Sequence, residues 1–246
     1  MWAPGLKICA FGVRDDEREA LENIGKELGA DLLICQKEPT LETADEAAGC
    51  IGVTVSGQSM IDGPLLDKYK GMGVKYLTTR TRGVNHIDVD YARKIGLRVA
   101  FASYPPSSVA EFTIMMILMS LRNYKQSMWR GQVNDFALSG LLGTELGELA
   151  VGVVGTGQIG YQVIKYLSGF GCRILAYDPY EREEVKRYAE YVDMDRIYRE
   201  SHVITLHIPL LPETKHMIND KTIEIMRDGI VLVNCARGEL ADTEAS

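Results

Sequence analysis

Apolar residues along this chain fall into two alternating periods. Short aliphatic and β-branched runs occupy 7–12, 31–35, 50–56, 74–79 and 98–102, and such runs predict strands of a buried sheet. Between them, apolar positions recur at helical spacing. Ala20, Leu21, Ile24 and Leu28 mark a helix over 15–28, and Leu41, Ala44 and Ala47 mark another over 40–48, opened by Thr40 as a cap. Shorter helices are predicted over 65–69 and 89–95. Strand, helix, strand, repeated, implies a parallel sheet with helices on both faces.

Tyr104-Pro105-Pro106 interrupts that alternation, because proline fixes its own backbone and pushes the residue before it out of helical geometry. Ser107 and Ser108 are candidate caps for a long helix over 109–130. Its first half is almost wholly apolar, which predicts burial between layers or domains. A boundary therefore falls here, with one domain over 1–103 and a second over 104–246. The alternation then resumes: strands at 149–155, 173–178, 202–208 and 230–236, helices at 158–170 and 221–227, and two helical stretches before 200. The expected class is α/β, with two doubly wound parallel-sheet lobes.

Composition narrows the functional classes. The chain has 246 residues, 46% hydrophobic and 25% charged, the balance of a soluble globular protein. Lys and Arg total 27 against 34 Asp and Glu, a net charge of -7 that argues against a nucleic-acid or anionic-membrane partner. The most apolar run, 112–121, falls short of the ~20 residues that cross a bilayer. The start of the chain carries no apolar leader, and 6–13 reads as a strand. Cys9, Cys35, Cys50, Cys172 and Cys235 form no C-x-x-C, so reduced, core-type thiols in a cytoplasmic protein are expected, with no metal site.

The clearest chemistry lies in VGVVGTGQIGYQVIKYLSGFGCRILAYD, residues 151–178. Gly155-Thr156-Gly157-Gln158-Ile159-Gly160 is a G-x-G-x-x-G between an apolar strand and a helix. Its first glycine permits the tight turn, its second lets backbone approach a pyrophosphate, and its third lets helix and strand pack closely. The helix N-terminus adds N–H groups and partial positive charge. Asp178 closes the next strand, where an acid takes the ribose hydroxyls and repels a 2′-phosphate. NAD, rather than NADP, is the expected cofactor.

Beyond this loop the sequence resembles the D-isomer-specific 2-hydroxyacid dehydrogenases, nearest the branch of D-lactate and (R)-2-hydroxyglutarate dehydrogenases. The resemblance is carried by TTRTRGVNHID (78–88), SYPPSSVAEFTIMMILMSLRN (103–123), VGVVGTGQIG (151–160), HVITLHIPLLPET (202–214) and VNCARGELADTEA (233–245). It implies a flavodoxin-like substrate lobe and a Rossmann NAD lobe, the second incomplete here, with a cleft between them and a homodimer in the full-length form.

The same resemblance implies roles residue by residue. Gly155, Gly157, Gln158, Ile159 and Gly160 face the pyrophosphate, and Asp178 holds the adenosine ribose. His207-Ile208-Pro209 walls the adenine site with Thr214 close by, although the His207 imidazole also suits a satisfied core position. Cys235-Ala236-Arg237 passes under the nicotinamide, near Val109. Arg237 is the matching catalytic arginine, whose fork binds a 2-oxo acid and polarises its carbonyl. Val55-Ser56-Gly57 matches the loop whose amides hold the substrate carboxylate, and Tyr104 a tyrosine lining the pocket.

The implied reaction is hydride transfer between NADH and a small 2-oxo acid, pyruvate foremost, giving the D-hydroxy acid. The family's proton chemistry uses a histidine paired with a glutamate some dozens of residues after the arginine. No histidine follows His216 here. A C-terminally truncated dehydrogenase with little turnover is therefore expected. The alternative is a non-catalytic NAD-binding interaction module.

Overall fold

A computed structural model describes residues 5–245. Its contacts divide the chain between Tyr104 and Pro105 into two compact units.

The first unit is one five-stranded sheet in the order β2-β1-β3-β4-β5, all pairs parallel. The strands are β1 (Lys7–Ala10), β2 (Asp31–Ile34), β3 (Gly52–Val55), β4 (Tyr76–Thr79) and β5 (Arg98–Phe101). The helices are α1 (Asp15–Leu28), α2 (Gly63–Gly71) and α3 (Val89–Lys94). α1 opens on three acids, Asp15 to Glu17, that complement the helix dipole, and it stops at Gly29, left-handed at φ 63°. Asp62 and Asp88 cap α2 and α3 by accepting from Leu65 and Tyr91 N–H. Cys9, Phe11, Val53, Val55, Leu66 and Tyr69 form the core.

Three local expectations are corrected in this unit and at its border. The helix predicted over 40–48 is only a 3-10 turn, Ala44–Ala47. The Thr43 hydroxyl bonds the Glu38 carbonyl at 2.6 Å and the amide of Thr40 bonds back to it, and this local alternative outcompetes helical bonding. On α1 the predicted apolar face is not covered: Ile24 and Leu28 are about half exposed, and Gly25 alone is buried. Neither Ser107 nor Ser108 caps the next helix, which starts at Ser107 behind Pro106 with no side-chain cap.

The second unit holds a parallel five-stranded sheet in the order β10-β9-β6-β7-β8. Its strands are β6 (Ala150–Val154), β7 (Arg173–Tyr177), β8 (Glu190–Tyr191), β9 (Val203–Leu206) and β10 (Val231–Asn234). Its helices are α4 (Ser107–Leu121), α5 (Tyr124–Gln132), α6 (Gln158–Ser168), α7 (Glu183–Lys186), α8 (Met194–Glu200) and α9 (Asp220–Ile223). Every residue of β6 is buried, as expected of a central strand covered on both faces. Ala110, Ile117, Val163 and Leu167 cover one side of this sheet, and Ile197 and Tyr198 belong to the separate core cluster on Val154 and Leu206.

The long helix predicted over 109–130 is two helices. Asn123 sits at φ 49°, a left-handed residue that ends α4 and starts α5. Full burial of this segment is also corrected. α4 buries only Ala110, Thr113 and Ile117, while Phe112 and Met115 are exposed. Among the described residues no helix is long and apolar enough to cross a membrane.

Candidate dinucleotide site and substrate loop

In a parallel open sheet, ligands bind outside the carboxyl ends of the strands, where the strand order reverses. In the second unit that point lies between β6 and β9, which are paired directly. Gly155 follows β6 with φ 91°, and His207 follows β9. A Cβ on Gly155 would stand 2.6 Å from the His207 carbonyl oxygen and 2.8 Å from Ile208 Cγ2. A Cβ on Gly160 would stand 1.9 Å from the Gly155 carbonyl oxygen. These two glycines let the elbow, the helix and the neighbouring strand end touch. Gly157 differs: a Cβ there would meet nothing within 4 Å. It caps α6 without a side-chain hydrogen bond. The result is an open helix N-terminus, the cradle an anionic diphosphate needs.

Asp178 leaves β7 beside this cradle. Its Oδ2 accepts from the Thr156 amide at 2.7 Å and its Oδ1 from the Tyr180 amide at 2.9 Å. Each oxygen retains a lone pair for a diol. The residues present therefore fit a dinucleotide: open space at Gly157, a helix N-terminus, and an oriented carboxylate.

A second ring of contacts, which the motif does not announce, fixes the elbow. Thr156 is fully buried, and its hydroxyl shares a 2.7 Å hydrogen bond with the Tyr191 phenol on β8. That phenol accepts from the Arg182 amide at 3.1 Å. The Arg182 guanidinium donates to the Thr156 carbonyl at 2.9 Å, lies 5.2 Å from the Tyr161 ring centroid, and pairs with Glu184. Glu184 is held below the usual carboxylate range by a hydrogen bond to its own backbone and by Arg182. Amide, carbonyl and hydroxyl of Thr156 are thus all engaged. Sequence reasoning missed Arg182 and Tyr191 because β8 is only two residues long and pairs through tertiary contact.

The other candidates of this unit follow β9 and β10 or, for Val109, open α4. His207 Nε2 bonds Thr205 Oγ1 at 3.0 Å, and burial pushes its pKa down to about 4. The hydrogen bond to Thr205 and the lowered pKa fit a satisfied core imidazole. Thr214 closes its loop by donating to the Pro209 carbonyl at 2.8 Å and accepting from the Leu211 amide at 2.8 Å. Cys235, Ala236 and Arg237 follow β10 in a turn bracketed by Asn234, which accepts from the Ala236 amide at 3.0 Å and donates to the Arg237 carbonyl at 2.7 Å. Arg237 itself is half-buried and donates to the Ala236 carbonyl at 2.9 Å. Val109 lies in the first turn of α4, its carbonyl taken by the Thr113 hydroxyl.

In the first unit the corresponding reversal lies between β1 and β3. Val55 is the buried last residue of β3, and Ser56 and Gly57 follow it. A Cβ on Gly57 would stand 2.9 Å from Thr81 Cγ2, so this loop runs against the turn after β4. Arg80 ties the strand ends together, donating to the carbonyls of Phe11 at 2.9 Å, Gly12 at 3.0 Å and Thr54 at 3.3 Å. Tyr104 closes this unit, its carbonyl accepting from Arg82 at 3.5 Å.

Comparison with known proteins agrees with this architecture. Residues 114–245 match the model of the D-isomer specific 2-hydroxyacid dehydrogenase NAD binding domain. An aromatic 2-oxoacid reductase of Clostridium sporogenes is 42% identical over 244 residues, covering 98% of this chain and 73% of that protein. The apo-structure of D-lactate dehydrogenase from Escherichia coli superposes with a TM-score of 0.90 at 34% identity, covering 98% of this chain and 77% of that one. The D-lactate dehydrogenase of Aquifex aeolicus, complexed with NAD and lactic acid, gives 0.87 at 34% identity over 96% of this chain and 71% of that one. With the strand orders, the glycine elbow and the oriented Asp178, these likenesses establish that the chain belongs to the NAD-dependent D-isomer specific 2-hydroxyacid dehydrogenases.

Proposed function

We propose that this dehydrogenase reduces small 2-oxo acids to D-2-hydroxy acids, with pyruvate as its expected substrate. The carrying observation is the glycine elbow with Asp178 at 2.7 Å from its Thr156 amide. Relatives named D-lactate dehydrogenase and aromatic 2-oxoacid reductase support the reaction class.

When bound, NADH supplies the hydride. In the second unit, Gly155, Gly157, Gln158, Ile159 and Gly160 would seat the diphosphate and Asp178 the ribose hydroxyls. His207, Ile208, Pro209 and Thr214 would flank the adenine, and Val109, Cys235 and Ala236 the nicotinamide. The Arg237 guanidinium would grip the 2-oxo acid and draw electron density from the carbonyl. In the first unit, the amides of Val55, Ser56 and Gly57 would hold the carboxylate and Tyr104 would line the pocket. No histidine follows His216 in these 246 residues, so binding without appreciable turnover is the expected behaviour of this stretch alone.

Titration of NADH fluorescence followed by addition of pyruvate tests the reading. NADH should bind and be oxidised slowly or not at all. Absence of NADH binding refutes the elbow assignment; brisk oxidation refutes dependence on a histidine–glutamate pair.

A second copy of the full-length protein is the inferred partner. Support comes from the exposed apolar side chains of Met115, Trp129, Phe136, Leu138 and Leu142. Light scattering across concentration should show a dimer. A reducing, cytoplasmic setting fits the five free thiols.

A further inference from the structure

Outside the strand-order reversal of the first unit lies a groove of about 330 Å³, lined by Gly12, Arg14, Gln36, Glu38, Ser56 and Gln58 among others. Glu38 is half-buried and points into it. Its Oε2 accepts from Ser59 Oγ at 2.7 Å and from Ser56 Oγ at 3.4 Å. A Cβ on Gly12 would stand 2.8 Å from Glu38 Oε1, so the glycine at the end of β1 leaves the room this carboxylate occupies. Ser56 is itself the centre of the proposed substrate loop. A fixed negative charge therefore sits within hydrogen-bond reach of the side chain next to the position assigned to a substrate carboxylate.

The surrounding cations do not cancel it. Arg14 is committed to Asp16 at 3.0 Å and Glu17 at 3.2 Å. Arg80 is committed to three strand-end carbonyls and to Glu17 at 3.6 Å. Asp15 also faces the groove. Two arginines thus meet four carboxylates, and Glu38 is the one bonded to the loop.

We propose that Glu38 is a specificity-determining residue, setting this site against 2-oxo acids that carry a second carboxylate and for those whose neutral side chain ends in a hydrogen-bond donor. A second substrate carboxylate would meet a like charge, whereas a phenol or indole N–H would find an acceptor oriented by two serines. The inference rests on the reading of Val55–Gly57 as the substrate loop.

The test titrates the 246-residue chain, with NADH present, against pyruvate, 2-oxoglutarate and 4-hydroxyphenylpyruvate by calorimetry and ligand-observed NMR. Glu38→Gln keeps the shape and the serine partners but removes the charge. It should improve 2-oxoglutarate affinity relative to pyruvate by about tenfold, an effect that shrinks with added salt. Glu38→Asp, which keeps the charge, should preserve the wild-type ranking. If the acids bind the wild type and Glu38→Gln leaves their ranking unchanged, the role of Glu38 is overturned while the loop reading stands. If NADH binds and no 2-oxo acid does, the loop reading falls and this inference with it.

Discussion

The glycines of the elbow differ in the space a side chain would find, and that difference is measurable. An alanine methyl at 160 would lie 1.9 Å from the Gly155 carbonyl oxygen, a backbone atom that cannot move without displacing the end of β6. Overpacking of this kind costs about 1–3 kcal/mol or more, which in a unit of this size lowers the melting temperature by roughly 5–10 °C. At 157 the methyl would meet nothing within 4 Å. There the change costs at most the difference between glycine and alanine at a helix N-cap, about 1 kcal/mol. The same methyl, however, occupies the space through which a diphosphate approaches the N–H groups of α6. Losing one charge-assisted hydrogen bond is worth about 1.5–3 kcal/mol, so NADH affinity should fall by roughly 10- to 100-fold. Thermal melts and NADH fluorescence titrations of Gly157→Ala and Gly160→Ala separate the two effects. A folded Gly157→Ala protein with wild-type NADH affinity would refute the cradle, and a Gly160→Ala protein with wild-type melting would refute the packing argument.

Tyr191→Phe removes the partner of both the Thr156 hydroxyl and the Arg182 amide. Thermal denaturation should show a loss of about 1–2 kcal/mol, and titration a weakening of NADH binding by about fivefold as the elbow loses pre-organisation. Asp178→Ala should weaken NADH and narrow its advantage over NADPH; an unchanged ratio by calorimetry would exclude the carboxylate as the selector. Burial pushes the His207 pKa down to about 4 from an ordinary 6.5. Below pH 6.5 the unfolded chain takes up a proton that the folded chain refuses until about pH 4. Its contribution is therefore full above pH 6.5 and is lost as pH falls through that window. The slope stays below ~1.4 kcal/mol per pH unit, because a single imidazole takes up at most one proton. Urea denaturation of wild type and His207→Gln between pH 7 and 4 should show this slope reduced in the variant.

The elements that were legible in the sequence are those whose determinants are local. α1 has the bounds that the helical spacing of Ala20, Leu21, Ile24 and Leu28 predicts, and its acidic first turn and left-handed Gly29 fix its ends in the structure. Apart from β8, the strands were legible from their short apolar runs, and the glycine elbow and the acid after β7 because close backbone approach leaves few residue types acceptable. Where competing local bonds decide, reading failed. The Thr40–Thr43 hydroxyl bonds reduce a predicted helix to a 3-10 turn, and a left-handed Asn123 divides an apolar stretch that periodicity alone treats as continuous.

By itself, then, the sequence determined the alternating elements, the two α/β units and the dinucleotide elbow, since each follows from periodicity or from the steric needs of one turn. Only the tertiary structure decided which distant side chains meet at the strand ends. Glu38 reaches Ser56 and Ser59, and Tyr191 reaches Thr156, across crossovers of 18, 21 and 35 residues. A pattern of hydrophobic period carries no record of such contacts, because the order of strands in the sheet, not their order in the chain, sets who stands beside whom.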